Sequence, residues 1–216
     1  RSGVGTDNID IEEASIRNIY VTNTPEANVI SAAELTIGLI ISAARNITVA
    51  NNSVKNNEWE RSEFIGVELY KKQLGLIGFG KVAKLVSKRM QSFDMKIVFY
   101  DPFIESSTEN EEKVELEELL KTSDFISIHV PKNKETINLV SKERLSLAKE
   151  GSIIINSSRG GLIDEQEVFS LVKNNKLYSA GFDVYEKEPP EMNEEKKRSK
   201  VITLPHLGAS TKEAQA

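Results

Sequence analysis

The feature of this sequence that most constrains its fold is a glycine-rich turn between a short apolar run and a helical pattern. Residues 74–77 form an apolar run that ends at a glycine, which predicts a buried strand. From Lys81 onward, apolar side chains recur at helical spacing, which predicts a helix. The turn between these elements has the pattern Gly-x-Gly-x-x-Ala, from Gly78 to Ala83.

Each small residue of this turn suits the binding of a dinucleotide. Gly78 permits the tight turn, Gly80 has no Cβ and lets a diphosphate approach the backbone, and Ala83 lets the helix pack closely on the strand. The helix begins with Lys81 and Val82, where unpaired N–H groups and a partial positive charge face the phosphates. The turn therefore predicts a dinucleotide site formed by Gly78, Gly80, Lys81 and Val82.

A carboxylate at the end of the next predicted strand indicates which dinucleotide is bound. The second apolar run covers residues 97–100 and is followed by Asp101, 21 residues after Gly80. This spacing is typical of the acid that accepts hydrogen bonds from the ribose hydroxyls. Because a carboxylate repels a 2′-phosphate, Asp101 favours NAD over NADP.

The composition argues against several other classes of function. The 216 residues include 28 Lys and Arg, 33 Asp and Glu and no cysteine, and the net charge is −5. No basic stripe predicts nucleic-acid binding, and disulfides and cysteine-ligated zinc are excluded. The longest apolar run, near residues 35–44, is too short to span a bilayer, so no membrane partner is expected. We expect a cytoplasmic protein without a metal site.

Apolar runs alternate with helical patterns along the chain, which predicts an α/β fold. The expected architecture is a Rossmann-type, doubly wound parallel sheet with helices on both faces. Its six predicted strands lie at residues 74–77, 97–100, 124–130, 152–156, 178–184 and 201–204. A short helix at 9–18 and a further strand at 19–22 are predicted before the sheet, and the charged segment 186–200 is expected to be a solvated loop.

A long helix is predicted from Ser31 to about Val54. Glu34 stands three residues after Ser31, which is the spacing of a capping box. The first half of the helix is apolar on nearly every face. We therefore expect this half to be buried within the domain or against a partner subunit.

Polar residues follow the ends of the predicted strands, where ligands bind in open α/β sheets. They are Asp101, His129, residues 156–159, Asp183 and His206. A histidine beside a dinucleotide suggests hydride transfer, because the oxidation of an alcohol needs a base for the hydroxyl proton. The chain has two histidines, and the residues alone do not distinguish His129 from His206 as that base.

Two charged side chains could complete such a site, although each could also be an ordinary surface residue without a catalytic role. A guanidinium at a strand end, such as that of Arg159, can bind a substrate carboxylate through two hydrogen bonds. A carboxylate bonded to the imidazole would fix its tautomer and stabilise the imidazolium. Taken alone, Arg159 could equally be a surface arginine, and Glu188 could be a solvated charge.

Seven ordered motifs extend along the whole chain. They are RSGVGTDNID at 1–10, NTP at 23–25, GFGKVA at 78–83, YDP at 100–102, NSSRGGLIDE at 156–165, FDVYEKEPP at 182–190 and PHLGAST at 205–211. Together these motifs resemble those of the D-2-hydroxyacid dehydrogenases. Within that family, residues 89–93 and 205–215 are most similar to the members that oxidise 3-phosphoglycerate.

This resemblance implies a catalytic triad and a set of NAD contacts. Arg159 would bind the substrate carboxylate, His206 would be the general base for the C2 hydroxyl, and Glu188 would pair with His206. His129 would belong to a segment that lines the cofactor. The further cofactor contacts implied by the resemblance are Val130, Pro131, Ser158, Asp183 and Gly208. Lys81 stands where arginine is usual, so its contact with the diphosphate is expected to be weaker.

The resemblance also implies that the chain is part of a longer protein. Residues 1–25 are expected to be the remnant of a substrate-binding domain, 26–209 the NAD-binding Rossmann domain, and 210–216 the start of a returning helix. A homodimer or homotetramer is implied, with the helix from Ser31 in the interface.

The implied reaction is the NAD-dependent oxidation of 3-phosphoglycerate to 3-phosphohydroxypyruvate, the first step of serine biosynthesis. A hydride would pass from C2 of the substrate to the nicotinamide, although this chain by itself is expected to bind NAD with little or no turnover. Two alternatives stay open. One is a relative that acts on glyoxylate or hydroxypyruvate, and the other is an NAD-sensing corepressor-like protein with the same fold.

Overall fold

The computed structural model describes residues 3, 5–6, 9–24, 26–104 and 109–215. The strands in these ranges are β1 (Gln73–Ile77), β2 (Lys96–Tyr100), β3 (Glu111–Lys113), β4 (Phe125–Ile128), β5 (Ser152–Asn156), β6 (Leu177–Phe182) and β7 (Val201–Thr203). They form one parallel sheet in the order β3-β2-β1-β4-β5-β6-β7. The order reverses between β1 and β4, which confirms the predicted doubly wound, Rossmann-type fold.

Helices cover both faces of the sheet. They are α1 (Ile11–Ile16), α2 (Val29–Ala44), α3 (Ile47–Lys55), α4 (Lys81–Met90), α5 (Leu116–Thr122), α6 (Lys142–Leu145), α7 (Glu165–Lys173), α8 (Glu194–Arg198) and α9 (Lys212–Gln215), with 3₁₀ turns at Arg61–Phe64 and Gln91–Phe93. The buried residues of α2 and α4 pack on one face, and those of α5 and α7 pack on the other. Asp164 caps α7 by accepting the Glu167 N–H at 2.9 Å.

Alternate side chains of the central strands enter two separate cores. In β5, Ile153 and Ile155 contact the α2–α4 layer, whereas Ile154 contacts the α5–α7 layer. All three side chains are at most 1% exposed. A strand that is buried on both faces needs apolar side chains at successive positions, which explains the uninterrupted run in its sequence.

The sheet differs from the prediction at one edge and before its first strand. The sequence does not predict β3, because three charged residues carry no apolar pattern. The strand predicted at 19–22 is wrong, since these residues pair with none of the seven strands and Tyr20 is 96% exposed. A short apolar run does not form a strand without a neighbour to pair with.

The charged segment 186–200 also differs from the expected loop, because it contains α8. Asn193 caps this helix by accepting the Lys196 N–H at 2.8 Å. The helix is only five residues long and strongly charged, so it lacks the apolar periodicity by which sequence patterns identify helices.

The prediction of one continuous helix over residues 31–54 is wrong. The structure has two helices there, α2 and α3, and the chain bends by 66° between them. Asn46 interrupts it with a φ of +54° and donates from its side chain to Ile65 O at 3.3 Å. Ala44 O accepts the Val67 N–H at 2.9 Å. The end of α2 is therefore fixed by a tertiary contact that the local sequence does not encode.

The apolar character of α2 is explained largely by contacts within the domain. Its buried face packs on α4, β5 and β6. The helix begins before Ser31, so the predicted capping box does not form, and the Ser31 hydroxyl lies 2.8 Å from Thr211 Oγ1 instead. A subunit interface at this helix stays a prediction.

Among the described residues no single helix has the length and apolarity to cross a membrane, although the bent α2–α3 pair meets those limits when both helices are counted together.

The region before α2 is described in part. The helix predicted at 9–18 is confirmed as α1, and Asp10 caps it by accepting the Glu13 N–H at 2.9 Å. Most of the first eight residues, which begin the RSGVGTDNID motif, lie outside the described residues. Pro25 and residues 105–108 also lie outside them.

Two glycines allow a matched test of this packing. A Cβ on Gly75 in β1 would overlap Ser123 Oγ and lie 2.5 Å from Leu119 Cδ2, whereas a Cβ on Gly38 in α2 would meet no atom within 4 Å. We expect Gly75→Ala to lower the free energy of unfolding by about 1–3 kcal/mol through overpacking. Gly38→Ala should raise it by about 0.5–1 kcal/mol, because alanine is favoured within helices. Urea denaturation measures both values, and equal effects of the two substitutions would contradict the described packing.

Candidate active site

The ends of three strands meet at the glycine turn. The Gly78 N–H donates to Tyr100 O at the end of β2, and the His129 N–H donates to Ile77 O at the end of β1, each at 2.7 Å. Gly78 has a φ of +88°, and a Cβ on it would lie 2.8 Å from Val130 Cγ1 and 2.9 Å from the His129 carbonyl. Glycine is therefore needed at position 78 both for its conformation and for its close packing.

The second glycine of the turn faces open space. Gly80 is the N-cap of α4, and a Cβ on it would meet no atom within 4 Å. The first amide groups of α4, beginning with those of Lys81 and Val82, have no acceptor within the helix. An open backbone at a helix N-terminus is the arrangement that binds a diphosphate. The residues at this turn therefore fit a dinucleotide.

Asp101 holds the glycine turn from the side of β2. Its Oδ2 accepts the Phe79 N–H at 2.8 Å, and its Oδ1 accepts the Phe103 N–H at 2.9 Å. Each carboxylate oxygen has a further lone pair. Because Asp101 is partly exposed, it keeps the capacity to accept hydrogen bonds from ribose hydroxyls.

Lys81 lies at the rim of this turn. Its Nζ is 2.5 Å from Glu26 Oε1, and the two side chains are 63% and 77% exposed. Such an exposed ion pair contributes little to stability. The ammonium group is therefore available to a ligand at little cost to the fold.

The loop after β5 is folded around the buried side chain of Asn156. Asn156 Nδ2 donates to Arg159 O at 2.8 Å, and its Oδ1 accepts the Ser158 N–H at 3.2 Å and the Ser158 hydroxyl at 3.1 Å. Arg159 Nη1 in turn donates to Ser158 O at 2.7 Å. An amide side chain with both donors and acceptors can thus define the path of the backbone that carries Arg159.

This loop packs directly on the loop after β6. A Cβ on Gly160 would overlap the carbonyl of Tyr185, so no larger residue fits at position 160. The Tyr185 N–H donates to Glu188 Oε1 at 3.2 Å, and its hydroxyl donates to Leu204 O at 2.9 Å. Tyr185 therefore connects the segment that carries Glu188 to the segment that precedes His206.

His206 and Glu188 form a hydrogen-bonded pair. His206 Nδ1 lies 2.9 Å from Glu188 Oε2, and the two side chains are 51% and 40% exposed. His206 has a φ of +60°, an unusual conformation for a residue other than glycine. Because Nδ1 faces the carboxylate, the opposite nitrogen, Nε2, is the one that can exchange a proton with a ligand.

Asp183 holds the backbone on the other side of His206. It is completely buried, and its two carboxylate oxygens accept the N–H groups of Leu207 and Gly208 at 2.7 and 2.8 Å. Burial raises the pKa of the Asp183 carboxyl, and the two backbone N–H groups act in the opposite direction. The positive φ of His206 is thus held in place by Glu188 through its side chain and by Asp183 through its neighbours.

One cleft, of about 390 Å³, brings many of the predicted residues together. Those that line it are Val82, His129, Val130, Pro131, residues 157–159, His206 and Gly208. The other predicted site residues lie outside its lining; they are Gly78, Gly80, Lys81, Asp101, Asn156, Asp183 and Glu188. The sequence analysis did not single out several other lining residues, which include Asn28, Lys132 and Ala209. Lys132 and Ala209 directly adjoin predicted site residues, so adjacency could have identified them, whereas Asn28 carries no such signal.

The two histidines have different surroundings. His129 lines the cleft and its Nε2 lies 2.9 Å from the hydroxyl of Ser127, which is completely buried. His206 faces a carboxylate instead. Since a carboxylate stabilises the imidazolium that forms when a base accepts a proton, the geometry favours His206 over His129 as the base.

These residues can perform acid–base chemistry on a small anion beside a dinucleotide. A guanidinium, Arg159, and an imidazole paired with a carboxylate line the same cleft. A guanidinium binds a carboxylate in a defined orientation, and the imidazole can accept a hydroxyl proton. The fold and this site together define an NAD-binding α/β domain of the dehydrogenase type.

Comparison with known families identifies that domain. Residues 37–208 match the family described as D-isomer specific 2-hydroxyacid dehydrogenase, NAD binding domain. The match covers most of the chain, and the chain belongs to this family.

Two relatives and one solved structure illustrate the similarity. The chain is 47% identical to D-3-phosphoglycerate dehydrogenase of Methanocaldococcus jannaschii, with 100% of the chain and 42% of that protein covered. It is 44% identical to hydroxypyruvate reductase of Thermotoga maritima, with coverages of 100% and 71%. An NAD-dependent formate dehydrogenase from Staphylococcus aureus, solved with NAD, superposes with a TM-score of 0.91 at 29% identity, with 99% of this chain and 66% of that chain covered. The chain thus spans less than half of the length of its phosphoglycerate dehydrogenase relative.

The state of His129 can be tested by its titration. Burial lowers the pKa of His129 to about 4, whereas a free histidine titrates near 6.5. The ring should therefore stay neutral in the folded chain above about pH 5. At pH values between about 4 and 6.5, His129 binds a proton in the unfolded chain but not in the folded chain. Its contribution to the free energy of unfolding therefore falls as the pH drops from about 6.5 toward 4.

NMR measures this titration without ambiguity, because the chain has only two histidines. In a His206→Ala variant the remaining imidazole signal belongs to His129. We expect its chemical shift to be constant between about pH 5.5 and 8. A midpoint near 6.5 would contradict the lowered pKa that burial gives this ring.

Proposed function

We propose that this chain is the NAD-binding part of a longer dehydrogenase that oxidises 3-phosphoglycerate at C2 to 3-phosphohydroxypyruvate. The observation that carries the proposal is the Glu188–His206 pair, which lies 2.9 Å apart beside the cleft that Arg159 also lines. NAD, when bound, supplies the acceptor for the hydride that leaves C2. The other roles belong to side chains of this chain.

Each member of the triad has a role that follows from its position. Arg159 binds the substrate carboxylate and thereby orients the adjacent C2 hydroxyl. His206 accepts the hydroxyl proton at Nε2, because Nδ1 faces Glu188. Glu188 keeps the ring in this orientation and stabilises the imidazolium. In the reverse direction His206 returns the same proton to the C2 oxygen.

The cofactor preference follows from Asp101. Its carboxylate lies at the end of β2 beside the glycine turn and retains lone pairs for the ribose hydroxyls. A 2′-phosphate in this position would face a negative charge. We propose that the chain prefers NAD to NADP for this reason.

The substrate assignment is supported by the relatives. The D-3-phosphoglycerate dehydrogenases of Methanocaldococcus jannaschii and Archaeoglobus fulgidus are 47% and 46% identical to this chain over its whole length. We propose that residues 1–25 and 210–216 belong to a substrate domain completed by further sequence, and that the protein assembles as a homodimer or homotetramer in the cytoplasm. That protein would act in serine biosynthesis.

A second candidate is the reduction of hydroxypyruvate. The Thermotoga maritima hydroxypyruvate reductase is 44% identical and this chain covers 71% of it, a larger share than for the phosphoglycerate dehydrogenases. We propose that either activity would use the same triad of this chain. They differ in whether the substrate has a phosphate group.

The proposal is tested by turnover of the full-length protein. NADH oxidation with 3-phosphohydroxypyruvate should be faster than NADH oxidation with hydroxypyruvate, which lacks the phosphate. His206→Ala should lower kcat by about 10²- to 10⁴-fold because the acid–base group is lost. Isothermal titration should show that the variant still binds NAD, since the glycine turn is intact. Faster turnover of hydroxypyruvate would favour the second candidate. Near-normal turnover by the variant would refute the role of His206.

A further inference from the structure

The segment that carries Glu188 is held at one peptide group, the one between Tyr185 and Glu186. The Glu186 N–H donates to Glu165 Oε1 at 2.7 Å. The carbonyl of the same peptide packs on Gly160, where a Cβ would overlap it. The peptide is therefore fixed between the loop after β5 and the first turn of α7.

This peptide also determines where the Glu188 carboxylate lies. The Tyr185 N–H donates to Glu188 Oε1 at 3.2 Å, while Oε2 lies 2.9 Å from His206 Nδ1. Tyr185 thus supplies both the carbonyl of the held peptide and the N–H that binds the carboxylate. A displacement of the peptide would move Glu188 relative to the imidazole.

The pair of Glu188 and His206 is not held in its geometry by burial. The two side chains are 40% and 51% exposed. An exposed pair gains little from its own attraction, because long side chains lose conformational entropy when they adopt one geometry. The orientation of Glu188 therefore depends on the contacts that hold its backbone.

Glu165 is well suited to supply such a contact. It is the first residue of α7 and is partly buried. Burial raises the pKa of its carboxyl, whereas the backbone N–H groups of Glu186 and Gly161 act in the opposite direction. A hydrogen bond to an ionised carboxylate is stronger than one between neutral groups, so this contact can hold a loop in place.

We propose that Glu165 is a positioning residue for the proton transfer, because it holds the Tyr185–Glu186 peptide so that Glu188 stays directed at His206. The inference rests on the proposed function, in which His206 is the acid–base group. Glu165 does not line the cleft, so it acts through Glu188 and not on a ligand. Its loss should slow the chemical step and leave binding almost unchanged.

Steady-state kinetics of the full-length protein test this role. We expect Glu165→Ala to lower kcat for the reduction of 3-phosphohydroxypyruvate by about fivefold to thirtyfold, which is the effect of losing much of one hydrogen bond to a charged group. The KM of the substrate and the Kd of NAD should change by less than about twofold, because Arg159 and the glycine turn keep their own contacts.

A conservative variant should rescue the rate. Glu165→Gln keeps an oxygen that accepts the Glu186 N–H, so its kcat should stay within about threefold of the parent value. If Glu165→Ala melts below the assay temperature, Glu165→Asp takes its place, because it keeps the charge but draws the oxygen back by one methylene group. Equal losses of kcat in the glutamine variant and in the shortened variant would overturn the inference.

Glu167→Ala is the matched control. Glu167 is also an acidic residue in the first turn of α7, but its side chain pairs with Lys142 Nζ at 2.9 Å. It therefore shares the interaction of Glu165 with the helix N-terminus and not the contact with Glu186. Its kcat should equal that of the parent. The same loss of kcat in both alanine variants would assign the effect to α7 and contradict the proposed role.

A double-mutant cycle with Glu188→Ala separates positioning from general stability. A residue that acts only through Glu188 has no further effect once Glu188 is removed. Adding Glu165→Ala to Glu188→Ala should therefore lower kcat by less than about twofold. A loss of the same factor with and without Glu188 would show a structural role and overturn the inference.

The outcomes distinguish this inference from the proposed function. If the parent protein is active and Glu165→Ala keeps the parent kcat, the inference is wrong and the proposed function stands. If the parent protein reduces neither 3-phosphohydroxypyruvate nor hydroxypyruvate, the proposed function fails and the inference with it. Thermal melting of each variant verifies that the compared proteins are folded.

Discussion

The site depends on one close backbone contact, the approach of Gly78 to the end of β4. A Cβ at position 78 would lie within 2.9 Å of the His129 carbonyl and of Val130 Cγ1. Because glycine permits this approach, the ends of β1, β2 and β4 come within hydrogen-bond distance of one another. The same turn leaves the backbone at Gly80 uncovered at the start of α4, which is the place where a diphosphate can bind.

The catalytic residues are held by a second set of contacts, between three loops at the carboxyl ends of β5, β6 and β7. The contact of Gly160 with the Tyr185 carbonyl joins the first two loops. Asp183 joins the loop after β6 to the loop after β7, because it accepts hydrogen bonds from the backbone amides of the two residues that follow His206. Glu188 joins the same two loops through its hydrogen bond with the imidazole of His206. No single loop defines the site. The orientation of His206 instead results from several hydrogen bonds that the sheet brings together, which is how parallel α/β folds place side chains from distant parts of a chain.

The sequence predicts the parts of this structure that depend on periodic burial or on local backbone chemistry. The bounds of β5 are predicted correctly because every position of the strand is buried, and the turn at Gly78 is predicted because glycine alone suits it. The end of α2 is not predicted, since Asn46 bends the chain through contacts with residues far along the sequence. The hydrogen bond between the side chains of Thr36 and Ser157 is equally hidden, because 121 positions separate the two residues and a threonine within an apolar helix carries no local signal. The pairing of His206 with Glu188 is predicted only through the resemblance to a family. The residues alone do not distinguish His129 from His206 as the catalytic base.

The most direct measurement of the central claim is the affinity of the chain for NAD after the substitution Gly80→Ala. A Cβ at this position meets no protein atom within 4 Å, and the backbone φ is −76°, which alanine adopts readily. The account predicts a melting temperature within about 4 °C of the parent chain, because only the helix N-cap is changed. It also predicts a Kd for NAD that is higher by about tenfold or more, since the methyl group occupies the space of the diphosphate. An unchanged affinity for NAD in a folded Gly80→Ala chain would contradict the account.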